Sequence, residues 1–141
     1  MKKNIAIRYV SKSGNTKKLA DQIANTAGVN AETVDNPIKG YIDILFLGGS
    51  VYWGGIDKTL KSFIHTLQSD QIGEVVVFST SALAERAYPE IKKCLTERGL
   101  KVSEKNFYCR GQFTALYRGK PDADDLKKAE VFTRNILKHN S

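Results

Sequence analysis

The chain has 141 residues, a length that suits one domain with one sizeable core and is too short for two ordinary domains. Hydrophobic residues make up 41% and charged residues 26% of the chain, so the composition excludes a disordered chain and a fibrous repeat. The net charge of +7 favours an acidic partner or an anionic surface, but charge alone does not distinguish protein, lipid and nucleic acid.

The first predicted element is an apolar strand at residues 5–10. This run is too short for a signal peptide or a membrane span, so we expect a cytoplasmic location. Arg8 interrupts the strand, and it either has a partner inside the fold or reaches the surface near the strand's end. A helix follows, which Gly28 is placed to end. Its apolar face is formed by Leu19, Ala20, Ile23, Ala24 and Ala27.

The second and third strands are predicted at residues 31–34 and 42–47. Pro37 lies between them and favours an irregular connection, in which a full helix fits poorly. The third strand is a nearly continuous apolar run, typical of a central strand buried on both faces. We expect Gly48 and Gly49 to terminate it.

The second half of the chain continues the alternation of helices and strands. The next helix is predicted from the apolar spacing of Leu60, Phe63, Ile64 and Leu67. Residues 75–78 form the fourth predicted strand, and Pro89 suits the first turn of the helix that follows. Gly99 ends that helix before an extended stretch that reaches Cys109, and a last helix begins near Pro121.

This alternation predicts an α/β fold in which a parallel sheet carries crossover helices on both faces. We find no linker, internal repeat or second domain, so residues 1–141 are expected to form one domain. Cys94 and Cys109 are interpreted as core thiols rather than a redox pair. His65 and His139 lack nearby acids or thiols at ligand spacing, so no metal site is predicted.

The segment with the clearest chemistry joins the first strand to the first helix. It reads Ser11-Lys12-Ser13-Gly14-Asn15-Thr16. A helix start leaves backbone N–H groups unpaired and concentrates positive potential, so it favours a phosphate. The hydroxyl groups add donors, and the glycine lets the backbone approach the anion closely. An ordinary serine-rich and glycine-rich turn remains the alternative interpretation.

These six residues resemble the phosphate loop of the flavodoxin family, Thr/Ser-x-Thr/Ser-Gly-Asn-Thr, at every fixed position. The GxxxxGK[ST] and GxGxxG patterns of other phosphate sites do not occur. The resemblance implies a flavodoxin-like, doubly wound, five-stranded parallel sheet with strand order 2-1-3-4-5. It also implies bound flavin mononucleotide (FMN), with its phosphate in this loop.

A second segment, Gly48-Gly49-Ser50-Val51-Tyr52-Trp53-Gly54-Gly55, follows the third strand, and its candidate cofactor-binding residues are Ser50, Val51, Tyr52, Trp53, Gly54 and Gly55. In a doubly wound sheet the first and third strands flank the point where the winding reverses, and ligands bind there. The segment resembles the flavodoxin loop that contacts the isoalloxazine ring. The resemblance implies that Tyr52 or Trp53 stacks on the ring and that Gly54 or Gly55 adjusts a peptide toward it. Packing of an aromatic under its own loop is the alternative.

A third segment, which follows the fourth strand, matches the family less well. Electron-carrier flavodoxins often have Gly-Asp and an aromatic here, whereas this loop offers Ser79, Thr80 and Ser81 for hydrogen bonds to the ring edge. Tyr88 either stacks on the flavin or packs against the following helix.

The resemblance implies an FMN-binding electron-transfer protein that exchanges electrons with a redox partner protein or an NAD(P)H-dependent reductase. Shuttle flavodoxins are typically acidic, so a basic chain implies a different partner, one of acidic surface. A flavodoxin-like oxidoreductase acting on a quinone or porphyrinogen is the main alternative. Unaided turnover of NAD(P)H and a quinone would favour that enzyme.

Two further alternatives are a flavodoxin-like module without flavin and a phosphoacceptor receiver domain. The intact phosphate loop argues against the first, and the absence of carboxylates at the strand ends argues against the second. No specific nucleic-acid binding is predicted.

Overall fold

The computed structural model describes residues 3–52, 55–81, 87–112 and 118–139, with only the backbone of residues 51 and 52. The strands in this part of the chain are β1 (Ile5–Tyr9), β2 (Ala31–Thr33), β3 (Ile42–Tyr52), β4 (Gly55–Ile56), β5 (Ile72–Ser81) and β6 (Phe107–Arg110). The helices are α1 (Asn15–Ala27), α2 (Lys58–Thr66), α3 (Tyr88–Glu97) and α4 (Ala123–His139).

Five of the strands form a parallel sheet in the order β2-β1-β3-β5-β6. This confirms the predicted α/β class, since β5 and β6 are the fourth and fifth strands expected from the sequence. The short β4 was not predicted, and it pairs antiparallel with the end of β3. The chain crosses from β1 toward β2 on one side and from β3 toward β5 on the other, so the winding reverses between β1 and β3.

Two apolar cores lie on opposite faces of the sheet. On one face α1 and α4 cover β1, β3 and β5, with Leu19, Phe46 and Phe78 among the fully buried residues. On the other face α2 and α3 pack on Leu47 and the alternate residues of β5. The central strands are therefore buried on both sides, as their continuous apolar runs indicate. Within the described ranges, no helix is long and apolar enough to cross a membrane.

The prediction that Gly48 and Gly49 terminate the third strand is wrong, because β3 continues through both glycines to Tyr52. A β-carbon on Gly48 would overlap the ring of Phe78, which occupies that space from the neighbouring strand. A β-carbon on Gly49 would lie 2.7 Å from a methyl group of Leu60 on the other face. The glycines therefore admit close packing of neighbouring side chains, and they do not break the strand.

The longer β3 also extends its neighbour. Gly49 pairs with Ser79 and Ser50 pairs with Thr80, so β5 continues to Ser81 instead of ending at Phe78 as predicted. Three hydroxyl-bearing residues that were expected in a loop therefore belong to a strand. Their side chains alternate between the two faces of the sheet.

Arg8 anchors the irregular connection between β2 and β3. Its guanidinium donates through Nε to the carbonyl of Asn36 at 2.9 Å and through Nη2 to that of Pro37 at 3.3 Å. Nη1 forms an ion pair with Glu32 at 2.9 Å. Each nitrogen of the buried guanidinium thus has a partner. The two carbonyls that it binds belong to the connection between β2 and β3, which, as predicted, forms no helix.

Candidate functional site

The reversal of winding places the loop after β1 beside the second half of β3. The amide of Val10 donates to the carbonyl of Gly48 at 3.1 Å, which continues the β1–β3 pairing to the carboxyl edge of the sheet. The chain then turns into α1 at Gly14. The segment predicted from its sequence motif therefore lies at the crevice where ligands bind in folds of this kind.

The turn at Gly14 has a backbone conformation that favours glycine, with φ at 90° and ψ at −7°. Its amide donates to the hydroxyl oxygen of Ser11 at 3.0 Å, which closes the loop on itself. Ser11 Oγ accepts that bond, and so its own proton remains available to a ligand. Ser13 is exposed at the surface of the loop.

The start of α1 has features that fit an anion. No side chain caps the first turn, and the first turn contains no acidic residue. The first helical hydrogen bond runs from Lys18 N to Gly14 O at 3.2 Å, so the amides of residues 15–17 precede it and have no partner within the helix. Uncapped amides and the positive end of the helix dipole are the chemistry that binds a phosphate group.

Three predicted site residues meet in a buried triangle of hydroxyl groups. Thr16 Oγ1 lies 3.1 Å from Ser50 Oγ and 3.0 Å from Thr80 Oγ1, and the latter two are 3.0 Å apart. The three residues are between 1% and 8% exposed. They come from α1, β3 and β5, so the triangle ties the phosphate-loop helix to both central strands.

Asn15 joins this loop to the segment between β6 and α4. Its Nδ2 donates to the carbonyl of Gln112 at 2.8 Å. Gln112 is itself held, because its amide donates to Lys120 O and its Oε1 accepts from the amide of Gly119, both at 2.9 Å. Gly111 leaves the space that the Asn15 side chain occupies, since a β-carbon there would lie 2.6 Å from Nδ2.

Lys12 reaches across the crevice to Asp57, which precedes α2. The Lys12 ammonium lies 3.1 Å from Asp57 Oδ2, and Oδ1 of the same carboxylate accepts from the amide of Thr59 at 2.7 Å. Burial by itself would raise the pKa of the Asp57 carboxyl. The hydrogen bonds from Lys12 and Thr59 outweigh burial and hold the pKa below its ordinary value of 3.8.

Replacing Asp57 with asparagine is expected to lower the free energy of unfolding at pH 7 by about 1 kcal/mol. Asparagine keeps the oxygen that caps α2 but loses the charge that attracts Lys12. The native pKa is depressed, so the carboxylate stabilises the fold above the unfolded pKa near 3.8, and this contribution is lost as the pH falls further. Urea unfolding of both proteins at pH 7 and pH 3 measures the difference.

The matched control is Asp70→Asn, an exposed aspartate outside the site. Its unfolding free energy should stay within about 0.5 kcal/mol of the parent value at both pH values. A cost of Asp57→Asn that is the same at pH 3 as at pH 7 would contradict the assigned ion pair.

The other residues predicted for the third segment, at the end of β5 and the start of α3, do not belong to the hydroxyl triangle. Ser79 is fully buried, and its hydroxyl has no partner within the described residues. Its side chain points to the opposite face of β5 from that of Thr80. Ser81 is buried on the same face as Ser79. Tyr88 is half-buried at the start of α3, and its hydroxyl donates to Ser103 O at 2.8 Å, so its ring takes part in the packing of that helix.

The predicted ring-contact segment is described only in part. Trp53 and Gly54 lie outside the described residues, and for Val51 and Tyr52 only the backbone is described. Gly55 belongs to β4 and has φ at 96°. Stacking of Tyr52 or Trp53 on a ring therefore stays a prediction.

Cys109, a buried cysteine that pairs with Thr80 in the sheet, is not a reactive thiol. Burial, reinforced by the charge of Asp125, raises the pKa of the Cys109 thiol to about 12. The thiol is therefore protonated at neutral pH and lacks the thiolate that reactive cysteines need. Cys94 is half-buried and packs against the other core, so both thiols contact apolar cores as interpreted from the sequence.

Two contributors to the site were missed by sequence reasoning. Asp57 could have been found as a helix N-cap, because aspartate directly before a helix commonly accepts a bond from the first turn. No sequence pattern identifies Gln112, because its contribution is a backbone carbonyl that any residue has, and it contacts Asn15 only in the folded chain.

Comparison with known proteins agrees with this architecture. A family model described as a flavodoxin domain matches residues 6–130. An uncharacterized protein of Methanocaldococcus jannaschii is 26% identical over 140 residues, covering 89% of this chain and 91% of its own.

Two solved structures share the fold at lower identity. A flavodoxin from the domain Archaea superposes with a TM-score of 0.72 at 19% identity, covering 97% of this chain and 98% of its own. Oxidised Flavodoxin 2 from Bacillus cereus superposes with a TM-score of 0.71 at 19% identity, and the match covers 96% of this chain and 99% of that protein. Because the family model extends from the first strand into the last helix, the chain belongs to the flavodoxin family.

Proposed function

We propose that the protein binds FMN in the crevice between the carboxyl ends of β1 and β3 and transfers electrons to a partner protein. Membership of the flavodoxin family supports a flavin-binding role in electron transfer. The observation that carries the choice of FMN is the uncapped start of α1 behind Gly14, whose amides are arranged for a terminal phosphate.

The loop offers two kinds of hydrogen-bond donor to a phosphate, backbone amides and side-chain hydroxyls. The amides of residues 15–17, which precede the first helical hydrogen bond, would donate to the phosphate, and the hydroxyls of Ser11 and Ser13 would add donors from the loop. Gly14 sets the turn that brings these donors together. When bound, the isoalloxazine ring supplies the redox chemistry, because it accepts and releases electrons.

The charge of the chain indicates the class of redox partner. Lys17 and Lys18 lie in the first turn of α1, and Lys58 begins α2. Both helices start at the carboxyl edge of the sheet, so these exposed lysines lie on the same edge as the proposed flavin site. The whole chain has a net charge of +7, so it attracts an acidic surface through long-range electrostatics. Lys18 and Lys58 contribute to that attraction near the proposed site, whereas Lys17 is paired with Asp21.

Titration with FMN, riboflavin and FAD tests the proposal directly. We expect FMN to bind at least about 100-fold more tightly than riboflavin, because charge-assisted hydrogen bonds to one phosphate are worth about 3 kcal/mol together. FAD should bind more weakly than FMN, because its phosphates are not terminal. Quenching of flavin fluorescence measures each dissociation constant.

Inorganic phosphate provides the control for the position of the site. It should weaken FMN binding by competition and leave riboflavin binding no weaker. Equal affinities for FMN and riboflavin, or FMN binding that is insensitive to phosphate, would contradict a phosphate site at the start of α1.

A further inference from the structure

The hydroxyl triangle places strict limits on where its protons lie. A hydroxyl group has one proton to donate and two lone pairs that accept. Thr80 is 2% exposed, and in the described part of the chain its hydroxyl pairs with Thr16 and Ser50. A buried hydroxyl without a partner is costly, so the Thr80 proton is directed at one of these two oxygens.

The same count allows several proton arrangements, of which a closed ring and a fully open arrangement are the two extremes. In a closed ring each hydroxyl donates to the next, and all three protons stay inside the triangle. In an open arrangement Thr16 Oγ1 accepts from Thr80 and Ser50 with both lone pairs, and its proton points out of the triangle. The two arrangements differ only in hydroxyl rotation, and the oxygen positions stay as they are.

We propose that Thr80 is a positioning residue for the phosphate site: its hydroxyl, with that of Ser50, turns the Thr16 proton outward toward a bound phosphate. This inference rests on the proposed FMN site. Hydrogen bonds accepted by Thr16 polarise its own O–H and strengthen it as a donor to an anion. Thr80 thus acts on the phosphate from β5, 64 residues away along the chain.

The test replaces Thr80 with valine, which keeps the volume and removes the hydroxyl. Because one of the two bonds that Thr16 accepts is lost, the ratio of riboflavin to FMN dissociation constants should fall about fivefold. Thr80→Ser restores the hydroxyl and should restore the ratio. Ser50→Ala removes the other hydroxyl beside Thr16 and should lower the ratio of riboflavin to FMN dissociation constants in the same way. If one of the two variants folds poorly, the other still tests the proposal.

Thr133→Val is the matched control for losing a buried threonine hydroxyl. Thr133 lies in α4, is fully buried and donates to Ala129 O of the same helix at 2.8 Å, so its hydrogen bond is not part of the triangle. We expect its stability to fall and its ratio of dissociation constants to equal that of the parent. A ratio that falls as far as in Thr80→Val would show that the change follows general destabilisation, and would overturn the proposal.

A double-mutant cycle with Thr16→Val separates positioning from direct contact. If Thr80 acts through Thr16, the ratio in Thr16→Val should not fall further when Thr80→Val is added. Independent, multiplying losses would overturn the proposal, as would an unchanged or larger ratio in Thr80→Val alone. The parent protein tests the underlying function separately, because equal affinities for FMN and riboflavin there would remove the phosphate site itself.

Discussion

Replacing Gly48 with alanine is expected to lower the free energy of unfolding by about 3 kcal/mol, because the added methyl group has no space. Its β-carbon would overlap Cε2 and Cζ of Phe78 and lie 2.8 Å from Cδ2. Phe78 is fully buried between β5 and the α1–α4 layer, so its ring has no free volume to enter. Urea denaturation followed by circular dichroism measures the loss.

The adjacent glycine provides the matched control. Gly49→Ala places a methyl group on the other face, 2.7 Å from a terminal methyl of Leu60 and otherwise no closer than 3.9 Å to another residue. Leu60 is also fully buried, but only one terminal methyl group at the end of its side chain opposes the added β-carbon, so we expect a smaller cost than at Gly48, about 1 kcal/mol. Equal costs at the two positions would contradict the explanation by the Phe78 ring.

A second variant tests the same contact from the other strand. Phe78→Leu removes the ring atoms that oppose Gly48, and by itself it should destabilise the protein by about 1 to 2 kcal/mol. In the Phe78→Leu background, Gly48→Ala should cost less than it does in the parent protein. Costs that simply add would show that the methyl group meets some other obstacle.

These contacts explain which part of the fold the sequence predicts and which part it does not. The periodicity of apolar residues locates the parallel strands and the helices, because burial against a layer imposes it locally. The ends of β3 and β5 depend instead on contacts between strands, such as Gly48 with Phe78. A glycine that breaks a strand and a glycine that admits a neighbouring ring look the same in the sequence.

The candidate site divides in a similar way. The phosphate loop is contiguous, so its residues could be named from the motif and its position before a helix. Thr16, Ser50 and Thr80 were each named as well, but their mutual contacts depend on the strand register that pairs Ser50 with Thr80. The Lys12–Asp57 ion pair depends on how two loops meet across the crevice, which local patterns do not encode.

Replacing Gly14 with valine is expected to weaken FMN binding by about 100-fold, with little change in riboflavin binding. At φ of 90° a β-branched side chain is strained, so the turn must change its dihedral angles. The change moves the Gly14 amide away from Ser11 Oγ and tilts the amides of residues 15–17. Fluorescence titration with both flavins measures the two affinities.

Gly28 separates backbone strain from binding, because it ends the same helix at φ of 76° and a β-carbon there would meet no atom within 4 Å. Gly28→Val should therefore destabilise the fold by an amount similar to Gly14→Val, about 1 to 2 kcal/mol, and leave FMN affinity intact. Asparagine tolerates the left-handed conformation, so Gly14→Asn should retain most of the affinity. If both valine variants lost FMN affinity to the same extent, the loss would follow from destabilisation of α1 and not from a change in the geometry of its first turn. The role assigned to Gly14 would then be wrong.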